Sequence, residues 1–141
     1  MIALRSIVRP AARVGVHQQQ RIARFHAGQI RFQTKAVEAS EETFEELVVK
    51  AEKPVIVDFY ADWCGPCRVL DPLLKKTAAK YPDISLVKLN VDDANATAQK
   101  YQIAALPTLV AFSKGEPVDQ IVGVPPGPKL EQFVKAHAER K

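Results

Sequence analysis

Cysteine is almost absent from this chain of 141 residues, and its two copies, Cys64 and Cys67, lie three positions apart. Two cysteines exclude a disulfide scaffold, and a bridge between such near neighbours removes little loop entropy, so structural stapling is a poor use for it. With one pair and no other thiol, an intracellular rather than a secreted protein is expected. Histidine is scarce too. His17 and His26 lie near the N-terminus and only His137 lies further on, so the cysteines form at most half of a four-ligand zinc site. Acid is missing altogether from residues 1–37, which hold Arg5, Arg9, Arg13, Arg21, Arg24, Arg31 and Lys35. Taking those 7 from the 20 basic residues leaves 13 against 16 acids, so residues 38–141 carry −3 although the chain carries +4. The acidic remainder has no surplus from which to build a basic, nucleic-acid-binding face. No apolar run approaches the roughly 20 residues of a membrane-spanning helix. Repeats, low-complexity segments and coiled-coil heptads are also lacking.

What is present divides the chain into a tail, residues 1–31, and a domain, residues 32–141. Residues 1–14, if helical, place Arg5, Arg9 and Arg13 on one face and Leu4, Ile7, Val8 and Ala11 on the other. Arg-rich, acid-free and amphipathic describes an organellar transit peptide, and the arginines interrupt the apolar core that a secretory signal needs. Few Ser and Thr favour a mitochondrial over a plastid address, hence the matrix. A basic tail with affinity for anionic lipid is the alternative; stable membrane association is not expected.

Within the domain, residues 32–37 read as a short first strand. Ser40 can cap a helix whose core-facing stripe is Phe44, Leu47, Val48 and Ala51. Val55–Tyr60 is apolar on both faces, as a central strand covered on either side would be. The helix after the cysteines presents Leu70, Leu73, Leu74, Thr77, Ala78 and Tyr81, with a kink expected at Pro72. Residues 86–91 read as a strand and 94–101 as a short helix. Strands at 108–112 and 120–124 flank the turn-rich Ser113-Lys114-Gly115-Glu116. Gly127-Pro128 opens a last helix with Leu130, Phe133, Val134 and His137 on one face; His137 reads as a last-turn residue suiting the helix dipole.

The chemistry gathers at Trp63-Cys64-Gly65-Pro66-Cys67, between strand and helix. Thiols at i and i+3 share a face of the first helical turn, so their sulfurs can meet. The helix N-terminus, with unpaired N–H groups and the positive end of the dipole, favours a thiolate there. Gly65 permits a tight turn; Pro66 fixes φ and removes a donor near the sulfurs. Asp58 is the odd residue of its strand. It shares a face with Ile56 and Tyr60, where burial would raise its carboxyl pKa, and a perturbed acid beside a redox pair is a functional candidate. The bland alternative is a strand-end acid wetted by solvent.

The folded part resembles the thioredoxin family over its whole length. The resemblance rests on Val57-Asp58-Phe59-Tyr60-Ala61-Asp62-Trp63-Cys64-Gly65-Pro66-Cys67, Pro72, Lys88-Leu89-Asn90-Val91-Asp92, Leu106-Pro107-Thr108-Leu109, Gly115 and Gly123. It implies an α/β thioredoxin fold, a mixed five-stranded sheet flanked by four helices. It further implies a protein-disulfide reductant in which Cys64, expected to be solvent-reached, attacks and Cys67 resolves the mixed disulfide. Gly65 and Pro66 tune the couple, Asp58 accepts the Cys67 proton, and Lys88 stands near Asp58 unless it is merely a solvated charge. A cis Leu106–Pro107 bond would face the cysteines. Trp63, Leu106, Pro107, Val122 and Gly123 would line a groove for an extended substrate. No cofactor is bound on this reading. Electrons come from NADPH through a flavin-containing thioredoxin reductase, and peroxiredoxins and other oxidised proteins are the clients of a monomer. Departures from the family pattern are Tyr60, Ala104-Ala105 and Pro125-Pro126. A rival is a thioredoxin-fold binding or chaperone module of a larger complex. The tail reading has a direct check: residues 1–37 fused to a fluorescent protein should carry it into mitochondria, and a diffuse cytosolic signal would refute the transit peptide.

Overall fold

A computed structural model describes residues 35–140. The expected transit peptide and the boundary at residues 31/32 lie outside the described residues. Five strands form one sheet: β1 Val37–Ala39, β2 Val55–Tyr60, β3 Ser85–Asn90, β4 Thr108–Ser113 and β5 Glu116–Val122, in the order β1-β3-β2-β4-β5. β1, β3 and β2 run parallel, while β4 is antiparallel to both β2 and β5. The helices are a helical turn at Glu45–Val49, α1 Gly65–Ala78, α2 Asn95–Lys100 and α3 Gly127–Ala138.

The central position of β2 follows from its sequence. Alternate residues point to opposite faces, and both faces are covered. Ile56 packs with Leu70, Leu74 and Ala78 of α1 and with Leu130, Phe133 and Val134 of α3. Val55, Val57 and Phe59 pack on the other side with Phe44, Val48, Ala94 and Phe112. Tyr101 joins that second core edge-on to Phe112, with ring centroids 5.1 Å apart.

Several elements differ from expectation. Among the described residues the first strand lies at 37–39; residues 32–34 of the expected strand lie outside them. The helix after Ser40 is wound wide, as a π turn closed by a Lys50 N–H to Glu45 carbonyl bond of 2.9 Å. Its start is capped reciprocally: Ser40 N–H donates to Thr43 Oγ1 at 2.8 Å and Thr43 N–H to Ser40 Oγ at 3.4 Å. Leu73, expected in the core stripe of α1, is 43% exposed; the buried stripe is the narrower Cys67, Leu70, Leu74 and Ala78. Pro72 lies inside α1, which runs from Gly65 to Ala78. β5 begins four residues earlier than expected, straight after a two-residue turn at Lys114 (φ +54) and Gly115 (φ +82). Two consecutive left-handed residues are the signature of a tight hairpin whose twist suits the strands it joins. His137 lies in the last turn of α3, as expected, but it also has a partner outside the helix. It is buried, its Nε2 lies 3.1 Å from Asp119 Oδ2, and its ring stands edge-on to Phe133. The pair ties α3 to β5, and the sequence pattern of α3 alone does not reveal a partner on a strand.

Gly115 is constrained twice. Its φ is left-handed, and a Cβ there would lie 2.6 Å from the Val49 carbonyl oxygen. Gly123 is also left-handed (φ +81) but has open space around it. Gly115→Ala should therefore destabilise by about 2 kcal/mol or more, and Gly123→Ala by about 1 kcal/mol. Urea denaturation of both variants checks this; equal losses would remove the Val49 contact from the account.

Candidate active site

The cysteines sit where β2 hands the chain to α1. Cys64 is the N-cap residue of the helix, with extended backbone (φ −79, ψ 105), and Cys67 lies in its first turn. Their sulfurs are joined in a disulfide, and Cys64 Sγ also accepts the Cys67 backbone N–H at 3.2 Å. An otherwise unpaired helix N–H therefore points at the outer sulfur, in the place where negative charge is best tolerated. Pro66 occupies the first turn, where its missing N–H costs nothing.

The expected contrast in exposure is not found. Cys64 is 3% exposed and Cys67 4%, and both pack with Ala61 against Tyr60, Val91 and Leu106. In this oxidised form both cysteines are buried. The asymmetry lies in the surroundings instead. A cleft of about 250 Å³ opens beside the inner cysteine, lined by Tyr60, Cys67, Arg68, Asp71 and Lys88, without Cys64.

The remaining predicted residues converge on this end of the sheet. The Leu106–Pro107 bond is cis, and Leu106 packs on the cysteine cluster. The Pro107 carbonyl accepts the Gly123 N–H at 2.8 Å, so the residues after β5 are pinned to the start of β4. Val122 is 58% exposed, and Trp63, at 70%, is the most exposed large apolar side chain among the described residues. The indole is not free to swing, because its Nε1 donates to Asp92 Oδ2 at 2.9 Å. Gly65 and Pro66 are exposed beside it.

Asp58 is 1% exposed on β2, opposite Lys88 of β3 and Leu109 of β4. Its Oδ1 has no hydrogen-bond partner among the described residues. Burial pushes its pKa up to about 7; Lys88 opposes that shift, and Asp71 and Glu38 add to it. Lys88 faces Asp58 in register, yet its Nζ is ion-paired to Asp71 Oδ1 at 2.9 Å and Glu38 Oε1 at 3.5 Å, and lies 4.2 Å from the centre of the Tyr60 ring. Burial also raises Tyr60, to about 12, helped by its hydroxyl's hydrogen bond to Glu38. Burial disfavours ionised Asp71, but hydrogen bonds from Lys75 and Lys88 outweigh it and hold that carboxyl below its usual range. Glu38 and Asp71 were not singled out from sequence. The signal for Asp71 was available: it lies four residues after Cys67, an acid on the sheet-facing side of a helix.

Because the Asp58 pKa of about 7 lies above its ordinary 3.8, the folded protein keeps a proton that the unfolded chain has lost between those values. Stability from this group is therefore full below about pH 4 and falls as pH rises toward 7. Asp58→Asn has no such slope. Its stability relative to the parent should rise by about 2–3 kcal/mol between pH 5 and pH 8. Urea denaturation of both oxidised proteins at the two pH values measures it, and parallel pH profiles would contradict a raised carboxyl.

Comparison with known protein families matches residues 35–136 to Thioredoxin. Among individual proteins, the chain is 47% identical over 88 residues to "Thioredoxin M-type, chloroplastic" of Brassica napus, covering 62% of this chain and 50% of that one. It is 42% identical over 93 residues to "Thioredoxin, mitochondrial" of Bos taurus, covering 65% and 56%. With "Thioredoxin" of Streptomyces clavuligerus it shares 48% over 87 residues, covering 62% and 81%. The chain thus spans about half the length of the first two relatives. The match runs from ahead of the first strand into the last helix and takes in the cysteine pair, the buried aspartate and the cis-proline; the chain belongs to the thioredoxin family.

Proposed function

We propose that this protein is a thiol-disulfide oxidoreductase that reduces protein disulfides through the Cys64/Cys67 couple. The observation that carries the reading is the cysteine pair at the N-terminus of α1, held as a disulfide with a helix N–H on Cys64 Sγ. In the dithiol form, the Cys64 thiolate attacks a client disulfide, forming a Cys64–client bond and expelling one client thiolate. Asp58 takes the proton of the Cys67 thiol. The Cys67 thiolate then attacks Cys64 Sγ and expels the second client thiolate. Two electrons pass to the client, and the Cys64–Cys67 bond closes. Gly65 and Pro66 tune the couple. Trp63, Leu106, Pro107, Val122 and Gly123 receive an extended client strand, with exposed Trp63 and Val122 offering apolar contact.

The cycle needs electrons from outside. On this reading NADPH supplies them through a flavin-containing thioredoxin reductase, and peroxiredoxins and other oxidised proteins of the mitochondrial matrix are the clients. The acid-free, Arg-rich tail supports that address; among the relatives, some carry the word mitochondrial in their names and others chloroplastic.

Roles within the pair are separable. Cys67→Ser should trap clients as covalent adducts through Cys64, released by a reductant, while Cys64→Ser should trap few or none. Both should lose NADPH-coupled disulfide reduction in the presence of a reductase. Non-reducing electrophoresis of both variants from cells reads the adducts; equal trapping, or trapping by Cys64→Ser alone, overturns the order of attack. A parent protein without reductase-coupled turnover would leave the fold as a binding module.

A further inference from the structure

The charges around Asp58 do not balance. The charges that act on Asp58 of β2 are two cations, Lys75 and Lys88, and two further acids, Glu38 on β1 and Asp71 on α1, so two cations serve three acids. Arg68, which lines the cleft beside Cys67 with Asp62, is engaged with the Asp62 carbonyl. β4 faces Asp58 with Leu109, and α3 turns Leu130, Phe133 and Val134 to this side of the sheet, its His137 being engaged with Asp119. Asp71 sits between the two cations, with Oδ2 2.7 Å from Lys75 Nζ and Oδ1 2.9 Å from Lys88 Nζ. Lys88, whose backbone is level with that of Asp58, has its ammonium drawn to the helix side and to Glu38. The acid left without an ion pair or a partner for Oδ1 is the buried one. Asp71 also lines the cleft that reaches Cys67, four residues before it on the same helix.

We propose that Asp71 is a positioning residue that sets the charge state of Asp58: by holding the Lys88 ammonium to itself, it leaves the buried carboxyl without a cation of its own. With Asp71 in place there is one acid too many, and the desolvated one keeps the proton. Without its charge, two cations face two acids and Lys88 is released toward Asp58. The cleft beside Cys67 thus contains both the cation and the acid that competes for it. This rests on the reading of Asp58 as proton acceptor for Cys67, but it can be measured apart from it.

The test follows the carbon-13 signal of the Asp58 carboxyl through a pH titration of the oxidised full-length protein. The parent midpoint near 7 should fall by about one unit or more in Asp71→Asn, and stay within a few tenths in Asp71→Glu, which keeps the charge. In a Lys88→Met background the same Asp71→Asn change should move the midpoint less than half as far. An unchanged or raised midpoint overturns the proposal. So does an equal shift with and without Lys88, which would make Asp71 a simple repelling charge. A purely structural Asp71, anchoring Lys75 on the helix, would lower the melting temperature and leave the midpoint alone. The pH profile of disulfide reduction, recorded on the same variants, should move down with the midpoint. If the midpoint moves and the profile does not, the positioning role stands and the proton-acceptor role of Asp58 falls.

Discussion

A carboxyl group on the middle strand of the sheet, covered from both sides, is the constraint around which this site is arranged. β2 has hydrogen-bonded neighbours on both edges and packed layers on both faces. Asp58 cannot turn out to solvent without lifting α1 or breaking the strand. It therefore remains in a low-dielectric place where ionisation is disfavoured, and every charge nearby acts on it through little screening. The same strand ends two residues further on, at Tyr60, and four residues later Cys64 caps α1. The distance along the chain from the buried acid to the sulfur pair is thus set by the end of one strand and the first turn of one helix.

The site combines two kinds of fixed geometry. On one side a helix end presents a backbone N–H to Cys64. On the other, the junction of β4 and β5 is locked by the Gly123 N–H on the Pro107 carbonyl. Between them the sulfurs are covered, while Trp63 and Val122 remain exposed. On the proposed function, the exposed apolar side chains and fixed backbone around the disulfide receive a client as an extended strand. The two cysteines differ less in exposure than in company: Cys64 caps a helix, whereas Cys67 lines a cleft shared with a lysine and an aspartate.

Much of this was legible in the sequence, for identifiable reasons. The period-2 apolar run at 55–60 and the cysteines just after it mark a strand followed by a helix, and the acid within the run announces itself as misplaced. The cis-proline was legible only through family resemblance, since the dipeptide Leu106-Pro107 carries little local signal. What could not be read were properties of contacts between distant segments. A local exception is the β5 start: the connection at 113–116 is legible as a turn, but not as two left-handed residues that let the strand begin at Glu116. The burial of His137 depended on Asp119 of a neighbouring strand. The exposure of Cys64 was overestimated because a position at a helix start says nothing about what packs on the side chain, here Ala61, Tyr60, Val91 and Leu106. Lys88 was correctly placed near Asp58, but its actual partners, Asp71 and Glu38, come from a helix and an edge strand.

Stability alone does not account for the aspartate. An apolar residue at position 58 would continue the packing of Ile56 against α1 and α3 and would remove both an unpartnered oxygen and a desolvation cost on the order of kilocalories. The nearest available remedy within this fold, a direct ion pair with Lys88, is forestalled by Asp71, which takes the ammonium instead. The uncompensated burial of Asp58 opposes folding, whereas the Asp71–Lys88 pair is itself favourable; both act in one direction on Asp58, leaving a carboxyl whose pKa is raised to about 7, near neutral pH. On the proposed function, a buried, unpaired acid on β2, surrounded by charges from β1, α1 and β3, serves proton chemistry rather than packing.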